Sequence, residues 1–277
     1  MRFGLPRFDW KRPLLAFVLV GSGWFVPGAA EEAHAADEDY RFNYYADHAE
    51  IRDYRGTDTE IVLPETSGGL PVTAIADGAF WHKDLTKVTL PASLETIGDY
   101  AFYENQLMEI EIPARVTSIG RAAFAGNQLS QVILPEGLQW IGGAVFQGSV
   151  IREIEIPASV HYLEMNAFNG IGLTKLKLNE GLPEVGYAAF VNNELTEVQI
   201  PSTAKRIVYA AFRNNKLNKV LLNEGLEEIW YSTFENNELT SVVIPSTVNT
   251  IYGDAFLMNK LAFAVIPPSV STIEHNS

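Results

Sequence analysis

Residues 85–106 read LTKVTLPASLETIGDYAFYENQ, and the chain returns to that pattern every 22 residues. Reduced to its recurring positions, the unit is L-x-x-V-x-I-P-x-x-V-x-x-I-G-x-x-A-F-x-x-N-x. Phenylalanine keeps the step without slippage at Phe80, Phe102, Phe124, Phe146, Phe168, Phe190, Phe212, Phe234 and Phe256. Proline keeps it at Pro91, Pro113, Pro135, Pro157, Pro201, Pro245 and Pro267, with Asn179 and Asn223 filling the two gaps. Ile97 continues as Ile119, Ile141, Leu163, Val185, Ile207, Ile229, Ile251 and Ile273. A period this strict predicts a solenoid of stacked coils. Eight complete copies run from Leu85 to Lys260, and a partial ninth follows.

Within one unit, Val88 and Leu90 alternate with Lys87 and Thr89, the period of a strand. Pro91 ends that strand because it has no N–H to donate. A second short extended stretch is expected over Glu95 to Ile97, and a tight or 3₁₀-helical turn over Gly98 to Phe102. The expected architecture is a β-rich, right-handed repeat solenoid with one parallel strand, a second short strand and a short helical or 3₁₀ turn per repeat. One coil cannot bury its apolar side alone, so stability has to come from contacts between neighbours. The column Asn105, Asn127, Asn193, Asn215, Asn237 and Asn259 predicts side chains that bond the turn backbone, broken at Ser149 and Ile171. A longer period overlies the first: residues 173–216 match 217–260 at 25 of 44 positions, as a duplicated two-coil block would.

Runs such as Leu129–Pro135 with Ile141, Gly142 and Phe146, and Leu239–Pro245 with Ile251, Ala255 and Phe256, resemble the BspA-like (Treponema pallidum type) leucine-rich repeats of bacterial surface proteins. The resemblance covers about residues 49–274. Two features depart from that family. The unit is one residue shorter than usual, and the frequent cysteine near the coil end is asparagine here. The resemblance implies a strand-lined concave face, a secreted location and, in some members, adhesion to host or neighbouring-cell proteins. It transfers no ligand, because exposed positions differ between members.

The first forty residues read differently. Arg2, Arg7, Lys11 and Arg12 precede an apolar stretch from Leu14 to Val26, and Ala33-His34-Ala35 fits a small-x-small cleavage site. This predicts a secretory signal peptide over residues 1–35, since the apolar stretch is too short to span a bilayer. Residues 36–84 are expected to form a β-cap and an irregular first repeat. Phe42, Tyr44, Tyr45, Ile51 and Tyr54 would make the cap, and extra residues around Ser67-Gly68-Gly69 a surface loop. Residues 85–277 follow as the repeats, with no C-terminal cap expected. Net charge is −14, and residues 1–35 hold four basic and three acidic side chains, leaving about −15 on the remainder. That excess argues against nucleic acid and anionic membranes as partners. Zero cysteines exclude disulfides and thiol chemistry.

No residues point to catalysis, a cofactor or a metal. The histidines at 48, 82, 161 and 275 fall at different phases of the repeat, and no nucleophile elbow or phosphate-cradling glycine loop is present. The reading is therefore of an exported, non-enzymatic interaction module. Two outward strand columns matter most. One runs Lys87, Glu109, Gln131, Glu153, Lys175, Glu197, Lys219, Ser241 and Phe263, a charge ladder on neighbouring strands. The other ends in Leu221, Val243 and Val265 beside Phe263, an exposed apolar patch of the kind that marks partner sites. Two readings of the patch stay open: a protein-binding site, or a face covered by a further segment or by edge contact with another chain. Tyr187, Tyr209 and Tyr231, flanked by Trp230, either stack on one another or hold a cell-wall or other glycan. A structural spacer without any ligand is the third reading.

Overall fold

The computed structural model describes residues 38–277, so the expected signal peptide lies outside the described residues. The chain winds into coils that each carry two short strands, and each set of strands builds its own ladder.

The winding starts with an antiparallel hairpin. Strand β1 (Tyr40–Tyr44) pairs with β2 (Ala49–Tyr54), with a bulge between Arg41 and Phe42. Strand β3 (Glu60–Val62) opens the first-strand ladder by pairing in parallel with Lys87–Thr89. Strands β4 (Thr66–Ser67) and β5 (Leu70–Ile75) form a second hairpin. The surface loop expected around Ser67-Gly68-Gly69 is a tight hairpin turn. Gly68 and Gly69 both have positive φ, 58° and 79°, which a two-residue hairpin turn of this hand requires. β2 runs parallel to β5, so the hairpin β1–β2 covers the edge of the second-strand ladder.

That second ladder continues from β5 through Thr96–Ile97, Ser118–Ile119, Trp140–Ile141 and Tyr162–Leu163. It then stops, and a new ladder runs through Glu184–Val185, Arg206–Ile207, Glu228–Ile229, Thr250–Ile251 and Thr272–Ile273. The break has a chemical cause. In the coils on either side, the residue two before the inward aliphatic donates its N–H to the coil below. Examples are His161 to Gln139 at 3.1 Å and Lys205 to Pro183 at 2.9 Å. The residue at this position in the intervening coil is Pro183, which has no N–H. Pro183 accepts from above and gives nothing below, so the ladder is cut there.

Of the two forms expected at the corner, the structure has the tight turn and not the 3₁₀ segment. Two successive turns bond Ala101 N–H to the Gly98 carbonyl (3.4 Å) and Tyr103 N–H to the Tyr100 carbonyl (3.1 Å). The alternate N–H groups of Tyr100, Phe102 and Glu104 donate to the next coil, at Arg121, Ala123 and Ala125, over 2.7, 2.7 and 2.8 Å. Left-handed backbone at two positions per coil produces this alternation. One set is Gly78, Tyr100, Ala122, Ala144, Asn166, Ala188, Ala210, Ser232, Asp254 and Asn276; the other is His82, Glu104, Gly126, Gly148, Gly170, Asn192, Asn214, Asn236 and Met258. The corner is itself a ladder between coils.

Inside this frame the phenylalanines make one column. The rings from Phe80 to Phe234 have 0% exposure, and successive centroids lie 4.9 to 6.0 Å apart. Tyr54 closes the column against Phe80 at 5.8 Å. The asparagines line the column's rim. Asn105 accepts from Leu85 N–H (2.9 Å) and donates to the carbonyls of Phe80 (2.8 Å) and Phe102 (3.0 Å). Asn127, Asn193, Asn215, Asn237 and Asn259 repeat the arrangement. At the irregular coil, Ser149 keeps only the acceptor half, taking Leu129 N–H at 3.2 Å. Ile171 fills its place as a buried aliphatic.

Candidate interaction surface

The first-strand face carries the side chains that the alternation turns outward. Its strands pair in twos: β3 with Lys87–Thr89, Glu153–Ile156 with Lys175–Leu178, Glu197–Gln199 with Lys219–Leu221, and Ser241–Val243 with Phe263–Val265. Glu109 and Gln131 form a single bridge in the remaining place. Charges pair within these ribbons. Lys175 meets Glu153 at 2.6 Å, Lys177 meets Glu155 at 2.6 Å and Lys219 meets Glu197 at 3.8 Å. Bonds from Lys177 and Asn179 hold the Glu155 carboxyl below the usual carboxylate range. Lys87 and Glu109 face each other across a gap between ribbons and form no ion pair. The expected charge ladder is therefore a set of separate bridges. Such exposed pairs contribute about 0–1 kcal/mol each, so they set register more than stability. A shallow cleft of about 1210 Å³ opens over this middle region, with Ile133, Glu155, Lys175 and Lys216 among its walls.

The apolar end of the face lies where the alternation placed it. Val243 is in register with Val265, and Phe263 with Ser241. Leu221 stands on the neighbouring ribbon, opposite Gln199. Leu221, Val243, Phe263 and Val265 are 47%, 64%, 61% and 51% exposed. Ala264 occupies the inward position that is buried as Val88, Val132, Val198 and Val242 in other coils, yet it is exposed here, as are Ile266 and Ile273. Among the described residues, no coil stacks beyond this strand. The same outward column also exposes Val62 and Ile133 farther along the face.

The tyrosine column is assembled, and its rings stack on or tilt against one another. Tyr187 and Tyr209 stack at 4.9 Å and 4°. Tyr231 tilts against Tyr252 at 5.1 Å and donates its hydroxyl to Glu274 at 3.3 Å, a bond that pushes its pKa up. Trp230 packs on Tyr252 and donates its indole N–H to Glu228 at 2.8 Å. Trp140 and Tyr162 stack at 4.2 Å.

Among the described residues, no group of three His, Asp or Glu side chains could hold a metal ion, and no helix is long and apolar enough to cross a membrane. What the structure defines is a repeat solenoid of the leucine-rich type, whose inward positions are packed and whose outward strand positions are free to vary. The pattern of the BspA-type leucine-rich repeat region matches residues 73–196 and 183–277, in six copies. The chain belongs to that family. Solved structures with the same fold include a leucine-rich repeat protein of Bacteroides ovatus, at TM-score 0.67 and 21% identity over 78% of this chain. The chain spans 60% of that protein's length. The leucine-rich repeat protein of T. pallidum aligns at TM-score 0.53 and 25% identity, over 72% of this chain and 86% of its own. The pneumococcal vaccine antigen PcpA aligns at TM-score 0.51 and 18% identity, over 83% of this chain and 69% of its own. No curated protein matches the chain.

Proposed function

We propose that this chain is an exported, non-enzymatic interaction module that binds a protein partner through its first-strand face, centred on Leu221, Val243, Phe263 and Val265. The observation that carries the reading is the contiguity of these four outward side chains on neighbouring strands, each about half exposed or more. Soluble proteins rarely leave such patches open without a use, and apolar anchors rimmed by charge are the anatomy of binding surfaces. The ion-paired ribbons beside the patch supply that rim. Export and adhesion rest on the basic-then-apolar start of the sequence and on the family.

Tyr187, Tyr209, Tyr231 and Trp230 form the alternative, glycan-binding surface, although Tyr187 and Tyr209 already turn one face each toward the other. The test uses residues 36–277 against a panel of immobilised extracellular-matrix proteins, with Val243→Asp as the variant. A charge placed on the patch abolishes binding while the melting temperature stays put. Binding that survives Val243→Asp, or a parent chain that captures no protein of the panel, refutes the proposal. N-terminal sequencing of secreted material that still begins at Met1 refutes signal cleavage.

A further inference from the structure

The repeat supplies an internal control, because each corner position can be compared with its counterparts in other coils. The first left-handed position holds Gly78, Ala122, Ala144, Asn166, Ala188, Ala210 and Ser232, but Tyr100 in the second coil. At the second position, six consecutive coils from 126 to 236 hold Gly or Asn, whereas the first two hold His82 and Glu104. Met258 and Asp254, near the other end, are the remaining large departures. Left-handed backbone costs a residue with a Cβ roughly 1–2 kcal/mol. Alanine and serine in the other coils carry the same cost, so what sets this corner apart is side-chain size. Tyr100, His82 and Glu104 place three large side chains where the following coils hold small or amide ones.

These three are not scattered. Trp81 stacks on Tyr100 with centroids 6.1 Å apart, and Tyr103 meets both rings edge-on, at 5.5 Å and 5.6 Å. Trp81 and Tyr103 share a phase of the repeat that holds Ala125, Gln147, Asn169 and Val191 in the next coils, so the rings are not demanded by the coil. None belongs to the buried phenylalanine column. Trp81 is 48% exposed and Tyr100 42%. Beside the rings, the Glu104 carboxylate is paired with His82 Nε2 and accepts the Tyr103 hydroxyl, which raises the Tyr103 pKa. Gln106 is bonded to Asp84 on the same pair of turns, at 3.1 Å.

We infer that Trp81, Tyr100 and Tyr103, with Glu104 and His82, form a carbohydrate-binding site for a pyranose glycan at the corner of the first two coils. The C–H groups on one face of a pyranose carry partial positive charge and lie against the negative face of an aromatic ring. A carboxylate and an imidazole at the ring's margin are planar partners for vicinal hydroxyls. Size favours sugar over protein. The cluster spans two coils about 4.8 Å apart, room for one or two sugar rings, while a stable protein interface takes about 800 Å² per partner. The inference is independent of the apolar patch at the other end of the first-strand face.

The experiment applies residues 36–277 to a printed array of bacterial and mammalian glycans, then titrates the strongest hit as a free oligosaccharide. Trp81→Ala is expected to weaken binding at least about tenfold, as loss of a buried aromatic anchor does. Trp81→Phe, which keeps an aromatic face, retains most of it, and Glu104→Gln costs several-fold. Val243→Asp leaves it unchanged. Because Trp81 lies outside the core column, all variants keep the parent's melting temperature within a few degrees. No array spot above background overturns the inference, as does glycan binding indifferent to both Trp81→Ala and Glu104→Gln. Trp81-dependent capture of a protein without any glycan signal also overturns it, and assigns the corner to a protein contact.

Discussion

Replacing Asn215 by alanine tests how the coils are closed. The Asn215 Oδ1 accepts Leu195 N–H at 3.1 Å, and its Nδ2 donates to the carbonyls of Phe190 at 2.9 Å and Phe212 at 3.1 Å. The residue is 7% exposed. The three bonds are not equal. The Phe190 carbonyl keeps a second donor in Asn193, and the Phe212 carbonyl keeps one in Asn237. Only Leu195 N–H is left with no partner. An orphaned buried group costs about 1–3 kcal/mol and each surrendered bond about 0.5–1.5, so Asn215→Ala is expected to cost roughly 2–5 kcal/mol in total. Asn215→Ser should recover the orphan portion, because the Ser149 hydroxyl already takes the equivalent N–H of Leu129 at 3.2 Å. Urea titration gives the global loss. Amide exchange at Leu195 reads the local one, which matters because solenoid coils can open separately. An alanine variant within about 1 kcal/mol of the parent, or a serine variant no better than alanine, would refute the assignment.

Phe168→Ala empties a fully buried site between Phe146 and Phe190, 6.0 and 5.5 Å away. It should cost about 3–5 kcal/mol and lower the thermal midpoint by ~10 °C; a melt that barely moved would contradict the core column. Burial pushes the Glu164 carboxyl up, but the Arg121 guanidinium at 2.6 and 2.7 Å and Gly143 N–H at 2.9 Å outweigh it and hold the pKa below the usual range. A depressed folded-state value stabilises above the unfolded pKa of about 4.3 and is lost as pH falls through the folded value. Arg121→Met should therefore be less stable than the parent near neutrality and closer to it in acid; an equal gap in urea midpoints at both pH values sinks the pairing. Pro183→Glu restores a donor toward the His161 carbonyl. The new bond, about 0.5–1.5 kcal/mol, is offset by the unfolded-chain entropy proline had removed, about 0.4–1. Stability should hardly change while the Gly186 amide exchanges more slowly, and an unchanged Gly186 would detach the break from the proline.

The strands, the phenylalanine column and the outward apolar patch were legible in the sequence because a residue's phase in the repeat fixes its direction. Val243 must point opposite to Val242 on a pleated strand, whatever the rest of the chain does. The corner was less legible. Alanine, asparagine, glycine and serine at positions 122 to 232 do not announce left-handed backbone, so the sequence leaves a tight turn and a 3₁₀ turn both open until the N–H groups are traced to the next coil. Pro183 was visible but mute. Its effect depends on which N–H the neighbouring coils donate, and composition does not carry that. The aromatic corner went unnoticed because Trp81 and Tyr103 share a phase for two coils only, and Tyr100 sits at another, so no long column forms. The available signal was the reverse of periodicity: large side chains where other coils keep small ones.

That reversal generalises within the molecule. Positions that agree across coils are committed to packing or to closing the backbone, and changing them costs stability in the manner of Asn215 or Phe168. Positions that disagree without consequence, such as the scattered charges beside Lys87, are solvated. The informative class is the third, where a coil departs from its neighbours at an energetic disadvantage. Tyr100 does so by exposing a large ring where the following coils keep small residues, with His82 and Glu104 beside it. Leu221, Val243 and Phe263 do so by exposing apolar surface together, in columns that mostly hold Lys, Glu and Gln elsewhere. The two sets lie at opposite ends of the array and differ in chemistry, one aromatic with a carboxylate and the other aliphatic. A solenoid couples distant coils only through the intervening neighbours, so the two surfaces should bind their partners without cooperativity. Saturating one site while titrating the other measures this directly, and a shift of more than about threefold in either affinity would mean the cut at Pro183 does not isolate the two ends.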